Sequence, residues 1–168
     1  KRGWDAEAVL VKSFDDLRQE ALAMQLVDHV QRVWSAAGVP AQLRPYRIVP
    51  TGASAGLIEG LADAVSLDSL KRQPGYVSLR AHLERRHAGS PEALRAAQMA
   101  FANSLAGYSI LCYVLQVKDR HNGNILLDSQ GRLVHIDFGF ILGQSPGGVG
   151  FERAPFKLTP EYIDVLGG

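Results

Sequence analysis

Residues 8–11, Ala-Val-Leu-Val, form a short apolar run with a β-branched bias and predict a strand ending at Lys12. A helix is expected next: Ser13 and Asp15 are candidate caps, acids cluster in the first turn, and Gly38 with Pro40 marks the stop. Within it Leu22, Leu26, Val30 and Val33 recur at helical spacing, with Leu17, Ala21 and Met24 beside them, a face broad enough to pack on a sheet. Residues 44–49 read as a strand, 51–56 as a small-residue turn, and 57–61 as a short strand broken at Gly60; residues 67–75 read as polar connector. Ser90-Pro91-Glu92 supplies a cap, a first-turn proline and an acid at the positive end of the dipole. A long helix should run from there to about Val117. Its apolar stretch 106–117 reads as buried, and it is too short for a bilayer of about 30 Å. Two apolar runs, 125–128 and 132–136, flank Ser129-Gln130-Gly131 and predict a β-hairpin. The order of elements fits an α+β or two-lobed design better than a βαβ series.

Composition narrows the class without naming a function. The 168 residues, 46% hydrophobic and 21% charged, suit one domain or part of one and exclude disorder, collagen and coiled coil. A net charge of +1, from 18 basic against 17 acidic residues, argues against a dedicated nucleic-acid binder. Cys112 is alone, so it makes no internal disulfide and no zinc pattern, and a reducing compartment is expected. No secretion signal and no transmembrane segment is read, so the expectation is an intracellular protein. Cys112 reads as a small core residue, and His29, His82 and His87 as surface or packing residues; His135 should pack inside on its strand. Arg80, Arg85, Arg86 and His87 read as a solvated helix face.

Chemistry concentrates in residues 119–139. If Gln130 and Gly131 form the centre of the hairpin turn, Asn124 and Asp137 face each other with Cβ atoms about 5 Å apart. An amide oxygen and a carboxylate that close suit a magnesium ion bridging nucleotide phosphates. A three-residue turn shifts this register by one. Asp119 precedes Asn124 by five positions, the kinase catalytic-loop spacing, and Asp137-Phe138-Gly139 follows; here the histidine comes after the aspartate, as Asp119-Arg120-His121.

Together these segments resemble the phosphatidylinositol 3- and 4-kinases, whose catalytic loop reads D-R-H-x-x-N before D-F-G. Lys12-Ser13-Phe14-Asp15-Asp16-Leu17-Arg18-Gln19-Glu20 is similar to the family's K-x-G-D-D-L-R-Q-D/E, with Phe14 standing where the family has glycine. Gln116-Val117-Lys118, His135-Ile136-Asp137-Phe138-Gly139-Phe140 and Phe156-Lys157-Leu158-Thr159 are most like the type III phosphatidylinositol 4-kinases of the beta kind. The resemblance implies part of a protein-kinase-like two-lobed fold. Residues from about 1 to 60 would belong to the small lobe and 61–168 to the large lobe, with catalytic loop 119–124 and activation segment 137–168.

Carried over by residue, the resemblance implies that Lys12 holds the ATP phosphates, oriented by Glu20. Tyr46, Ile58 and Ile136 would line the adenine pocket, with Glu59 and the backbone of Leu61 forming the hinge. Asn124 and Asp137 would hold magnesium, or manganese in its place. Asp119 and His121 would share the general-base work, His121 being the expected proton acceptor. The implied reaction moves the ATP γ-phosphate to the 4-hydroxyl of phosphatidylinositol. The alternatives are a 3-kinase or related kinase, and a nucleotide-binding pseudokinase scaffold. Residues 140–168 hold two basic residues, Arg153 and Lys157, against Glu152, Glu161 and Asp164, a net −1. A polyphosphorylated headgroup calls for more cations, so plain phosphatidylinositol fits, with Lys157 near its headgroup. Residues 145–150, Ser-Pro-Gly-Gly-Val-Gly, should be a mobile loop. The resemblance further implies a cytosolic enzyme peripheral on Golgi or other internal membranes, recruited by small GTPases and calcium-sensor proteins. No glycine-rich loop precedes Lys12 and the chain stops at Gly168, so the 168 residues alone are expected to be weakly stable and nearly inactive.

Overall fold

The computed structural model describes residues 6–144, 146 and 154–168. Among them are two three-stranded antiparallel sheets. The first has the order β1-β3-β2, from β1 (Val9–Ser13), β2 (Ile48–Gly52) and β3 (Ala55–Glu59). The second has the order β4-β5-β6, from β4 (Ala64–Ser66), β5 (Ile125–Asp128) and β6 (Leu133–His135). Helix α1 (Arg18–Ala36) follows β1, and α2 (Leu67–Lys71), α3 (Leu79–Arg86), α4 (Pro91–Leu115) and α5 (Pro160–Leu166) surround the second sheet, a mixed α/β arrangement. The expected mobile loop 145–150 lies outside the described residues except for Pro146, as do Glu152 and Arg153.

The first sheet forms with shifted bounds: residues 44–47, read as strand, lie outside it, and β2 and β3 both extend into 51–56, read as turn, so that Lys12 pairs opposite Gly56; the chain leaves β3 at Gly60 as expected. Helix α1 differs from expectation in start and in face. Ser13 belongs to β1, and Leu17 precedes the helix without a side-chain cap; Asp16 Oδ1 accepts the Arg18 N–H at 3.1 Å instead. Ala23, Met24 and Val27 are the buried positions, whereas Leu22 and Val33 stay half exposed. The face is chosen by its cluster partners, Leu43, Tyr46, Tyr108, Leu111 and Phe138, which the helix's own period does not encode.

Phe14 sits between β1 and α1 at φ 61°, with 97% of its surface exposed. A left-handed backbone costs a non-glycine residue roughly 1–2 kcal/mol, and glycine's extra freedom in the unfolded chain offsets roughly 0.5–1 kcal/mol of that. No buried contact is lost, so Phe14→Gly is expected to raise stability by about 0.5–1 kcal/mol. Chemical denaturation of the two proteins side by side checks this, and an unchanged or lower midpoint contradicts it.

Residues 67–75, read as connector, in fact continue β4 into α2. Ser66 Oγ accepts the Ser69 N–H at 3.1 Å, and Leu67 and Leu70 enter the core with Leu79, Leu83, Phe101, Leu133 and Tyr162. Two apolar positions in nine residues left too weak a period to reveal a one-turn helix. Helix α4 begins as expected, with Ser90 Oγ accepting the Ala93 N–H at 3.2 Å. Its apolar stretch, expected to be buried, is buried on one side only: Tyr108, Leu111 and Cys112 face inward while Ile110, Tyr113 and Val114 are exposed. Gly107 lets the helix press on residue 42, since a Cβ there would stand 2.5 Å from the Gln42 carbonyl oxygen. No helix among the described residues is long and apolar enough to cross a membrane. The basic residues of α3 make a salted helix face: Arg80 pairs with Glu84 and Asp164, and Arg86 donates to the Ser129 carbonyl.

His135 packs as expected, its ring stacked on Tyr108 with centroids 4.3 Å apart and its Nδ1 3.6 Å from Cys112 Sγ. Burial holds its pKa well below 6.5, and the charges of Arg120 and Lys157 push the same way. Above pH 6.5 the ring is neutral folded or unfolded and contributes no pH dependence. Below it the unfolded chain takes a proton that the folded chain refuses, so stability falls by up to about 1.4 kcal/mol per pH unit. His135→Phe should flatten this slope in urea titrations between pH 5 and 7.5; an unchanged slope assigns the dependence to other groups.

Candidate active site

A cavity of about 640 Å³ opens between the two sheets. Leu10, Lys12, Ile58 and Glu59 reach it from the first sheet, Glu20 from α1, and Asn124, Leu126, Ile136 and Asp137 from the hairpin side; Tyr46 and Leu61 complete the wall. All nine residues expected to touch nucleotide or metal therefore share one cavity.

The hairpin register differs by one from the pairing that a two-residue turn centre predicts. Ile125 lies opposite His135 and Leu127 opposite Leu133, so Asn124 meets Ile136, whose N–H donates to the Asn124 carbonyl at 3.0 Å. The cause is a three-residue turn closed by the Asp128 N–H donating to the Arg132 carbonyl at 2.9 Å, with Gly131 at φ 87°. Asp137 still reaches the cavity because its own backbone turns left-handed, at φ 61°. The turn is locked by Asp128, whose fully buried carboxylate pairs with Arg132 at 2.7 Å and Arg44 at 3.0 Å and accepts two backbone N–H groups at 2.9 Å. Arg44 continues to Asp63 at 2.7 Å, so a segment before β2 is tied to the hairpin.

Glu20 was expected to orient Lys12; in the structure it makes no hydrogen bond to Lys12, and only the charge of Lys12 reaches it. Its Oε1 accepts from the Tyr46 hydroxyl at 2.7 Å and from the Asp137 N–H at 3.2 Å, while Lys12 Nζ sits 3.7 Å from Asp15 Oδ2. Glu20 lies on the first turn of α1, and its carboxylate meets the phenol and the turned backbone of Asp137, with the Lys12 charge acting on it from farther off. Burial raises its pKa, with the Asp137 charge adding and the Tyr46 hydrogen bond opposing. Burial and the Glu20 charge likewise push the Tyr46 phenol well above its ordinary value, keeping it protonated as a donor. Gln19 extends the same link, donating to the carbonyls of Phe138 and Gly139 at 3.0 and 2.7 Å.

The loop 119–124 is organised around Arg120, which is 4% exposed. Its guanidinium donates to the carbonyls of Lys118 at 2.9 Å and Ile136 at 2.8 Å and also to that of Asp137, and it lies 5.4 Å from the Phe138 ring centroid. Burial lowers its pKa, while the carboxylates of Asp137 and Asp119 oppose the shift. Sequence reasoning missed Arg120 and Gln19 as functional; an arginine inside an otherwise short polar loop was the available signal. Asn124 Nδ2 donates to the Asp119 carbonyl at 3.0 Å, which leaves Oδ1 as the atom it can offer to the cavity. His121 Nδ1 accepts the Gly123 N–H at 3.0 Å, and Nε2 stands 3.8 Å from Asp119 Oδ2. In that arrangement the neutral ring carries its proton on Nε2, facing Asp119. His121, Asp119 and Lys157 do not line the cavity wall itself. Lys157 Nζ donates to the Arg120 carbonyl at 3.0 Å and to Asn122 Oδ1 at 2.8 Å.

No group of three or more His, Cys, Asp or Glu among the described residues could cage a metal ion. Asn124 and Asp137 offer one amide oxygen and one carboxylate on the cavity wall. That set fits a magnesium ion completed by phosphates and water, and not an all-protein cage.

A profile of the family described as phosphatidylinositol 3- and 4-kinase matches residues 7–168. The chain is 50% identical over 165 residues to phosphatidylinositol 4-kinase beta 1 of Arabidopsis thaliana, covering 98% of this chain and 15% of that protein. It is 49% identical over 168 residues to phosphatidylinositol 4-kinase of Dictyostelium discoideum, covering 98% of this chain and 14% of that one. For phosphatidylinositol 4-kinase beta of Xenopus tropicalis the identity is 48% over 165 residues, with 98% and 20% covered. The chain thus spans about a sixth of the length of the curated relatives it matches.

Proposed function

The chain belongs to the phosphatidylinositol 3- and 4-kinase family, and on that premise we propose that it supplies the catalytic core of a lipid kinase moving the ATP γ-phosphate to the 4-hydroxyl of phosphatidylinositol. The observation that carries this reading is the meeting of Lys12, Asn124 and Asp137 in one cavity beside the Asp119–His121 pair. On the kinase fold, residues up to about 60 are part of the small lobe and the rest part of the large lobe, with the nucleotide between them.

ATP lies with its base against Tyr46, Ile58, Leu61 and Ile136, along the Glu59–Leu61 hinge, and its phosphates toward Lys12. Asn124 and Asp137 would hold magnesium, or manganese in its place, and the ion would supply positive charge against the phosphate oxygens. Glu20 and Gln19 hold the Asp137–Gly139 backbone so that the carboxylate stays aimed at the cavity. The inositol oxygen bonds to the γ-phosphorus, the bond from that phosphorus to the β-phosphate bridging oxygen breaks, and ADP leaves. The hydroxyl proton goes to the Asp119–His121 pair: the Asp119 carboxylate takes it, and the Nε2–H of His121, which faces that carboxylate, steadies its charge until then. Lys12 is the ligand for the phosphates and must leave Asp15 to reach them.

The choice of plain phosphatidylinositol rests on the net −1 of residues 140–168, and the choice of the 4-hydroxyl on the likeness to the named 4-kinases. On the same likeness we place the protein in the cytoplasm, peripheral on Golgi or other internal membranes, with small GTPases and calcium-sensor proteins as recruiting partners.

The test is incubation of the intact protein with Mg²⁺, labelled ATP and phosphatidylinositol vesicles, followed by identification of the phosphoinositide isomer. The 4-phosphate is expected. The 3-phosphate would transfer the protein to the 3-kinases, and ATP binding without product would make it a nucleotide-binding scaffold.

A further inference from the structure

Lys157 was expected beside the lipid headgroup, but its ammonium is hydrogen-bonded to the loop that carries His121. Nζ donates to the Arg120 carbonyl at 3.0 Å on one side of His121 and to Asn122 Oδ1 at 2.8 Å on the other. The Asn122 carbonyl is held in turn by the N–H of Asp68, in α2, at 3.0 Å, and the Arg120 side chain is anchored on the carbonyls of Ile136 and Asp137. Residues 120 and 122 are therefore fastened from three directions, and the residue between them has little freedom except in its own side-chain torsions. His121 itself is more than half exposed and stands 3.8 Å from Asp119; apart from the Gly123 N–H on its Nδ1, its position depends on this frame and not on packing. Lys157 lies just before α5, whose Tyr162 and Val165 are buried, so the anchor is itself attached to a rigid element.

We propose that Lys157 is a positioning residue of the catalytic loop, clamping the backbone around His121, and that it acts on phosphoryl transfer through the Asp119–His121 pair more than through the headgroup. The inference rests on the kinase reading given above. A charged donor bridging a carbonyl and an amide oxygen makes two charge-assisted hydrogen bonds, stronger than neutral ones, and a lysine is long enough to make them from a neighbouring segment. Losing the clamp lets the loop relax by a fraction of an ångström to an ångström, which costs about 100-fold in a reaction that depends on alignment.

The two roles for Lys157 separate in kinetics. Lys157→Met keeps the length of the side chain and removes its donors. As a positioning residue it lowers kcat for phosphatidylinositol phosphorylation about 100-fold, and lowers the slow lipid-free hydrolysis of ATP to a similar degree, because water attacks in the same loop. KM for phosphatidylinositol in vesicles of fixed composition stays within about twofold, and Lys157→Arg, which keeps charge and donors, recovers at least about a tenth of the parental rate. A headgroup role predicts the opposite: KM for the lipid rises while kcat and lipid-free hydrolysis hold, and that result overturns the proposal. Parental values of all three overturn it as well. Melting temperatures are recorded for both variants, and if Lys157→Met does not fold, the Lys157→Arg split between kcat and KM decides in the same way. Asp137→Asn, run in parallel, keeps the two readings apart: if lipid-free hydrolysis survives that change, it is the kinase reading that fails.

Discussion

Asp137→Asn in the intact protein is expected to lower phosphoryl transfer by about 10³-fold while the protein melts within a few degrees of the parent. The reason lies in which contacts the substitution keeps. The backbone of Asp137 is held from both sides, its N–H by Glu20 and its carbonyl by Arg120, and asparagine makes both bonds. Asparagine also tolerates the left-handed backbone at φ 61°, and its amide oxygen can accept the Gly139 N–H that Oδ1 now accepts at 3.2 Å. What disappears is one negative charge on the cavity wall, the carboxylate of the proposed Asn124–Asp137 pair. A secondary effect follows at Glu20, whose pKa is raised in part by the Asp137 charge and should fall toward its ordinary value in the variant. Single-turnover phosphorylation, with ATP affinity measured on the same samples, tests the prediction. Activity within tenfold of the parent would remove Asp137 from the metal-binding role.

Arg120→Met is expected to be the most damaging single change for stability. Arg120 is a buried cation whose guanidinium donates to the carbonyls of Lys118, Ile136 and Asp137, with the Phe138 ring near it. Two effects compete. Removing the guanidinium relieves the cost of burying its charge, and methionine of similar length refills much of the volume. Against that, three part-buried carbonyls lose their donor together, at roughly 1–3 kcal/mol each. The carbonyl losses win because they are threefold and the site is too shielded for water to replace every bond. A net loss of about 3 kcal/mol is expected, seen as a lower urea midpoint at unchanged slope. Arg120→Lys can satisfy one or two of the three acceptors and should fall between. Both variants should lose activity beyond what instability explains, since the loop 118–124 and the Asp137 turn would no longer share an anchor. A loss under about 1 kcal/mol for Arg120→Met would show that the loop holds itself.

Several elements were legible because their causes are local. The strand at Val9–Ser13, the capped start of α4 at Pro91 and the break after Glu59 each follow from a few adjacent residues whose backbone preferences agree. The list of residues around the cavity was legible for another reason: the motifs hold side chains at fixed spacings, and nine expected residues did meet there. Where several partners compete for one group, spacing failed. Glu20 could have hydrogen-bonded Lys12 or the Asp137 backbone, and in the fold it accepts from the latter and from Tyr46. Residues 67–75 hid a helix because its two buried leucines gain their meaning from α3 and α4, which come later in the chain.

By itself, then, the sequence determined the order of most elements, the glycine and proline punctuation, which residues meet at the cavity and the family to which the chain belongs. These depend on torsional preference and on side-chain chemistry, and both travel with the residue. Only the tertiary structure decided which face of α1 is buried, that the hairpin closes through three residues and not two, that Glu20 holds Asp137, and that Lys157 grips the loop around His121. Each of these is a choice among partners far apart in the chain. Such choices are settled by which donors, acceptors and apolar surfaces arrive together when the core excludes water.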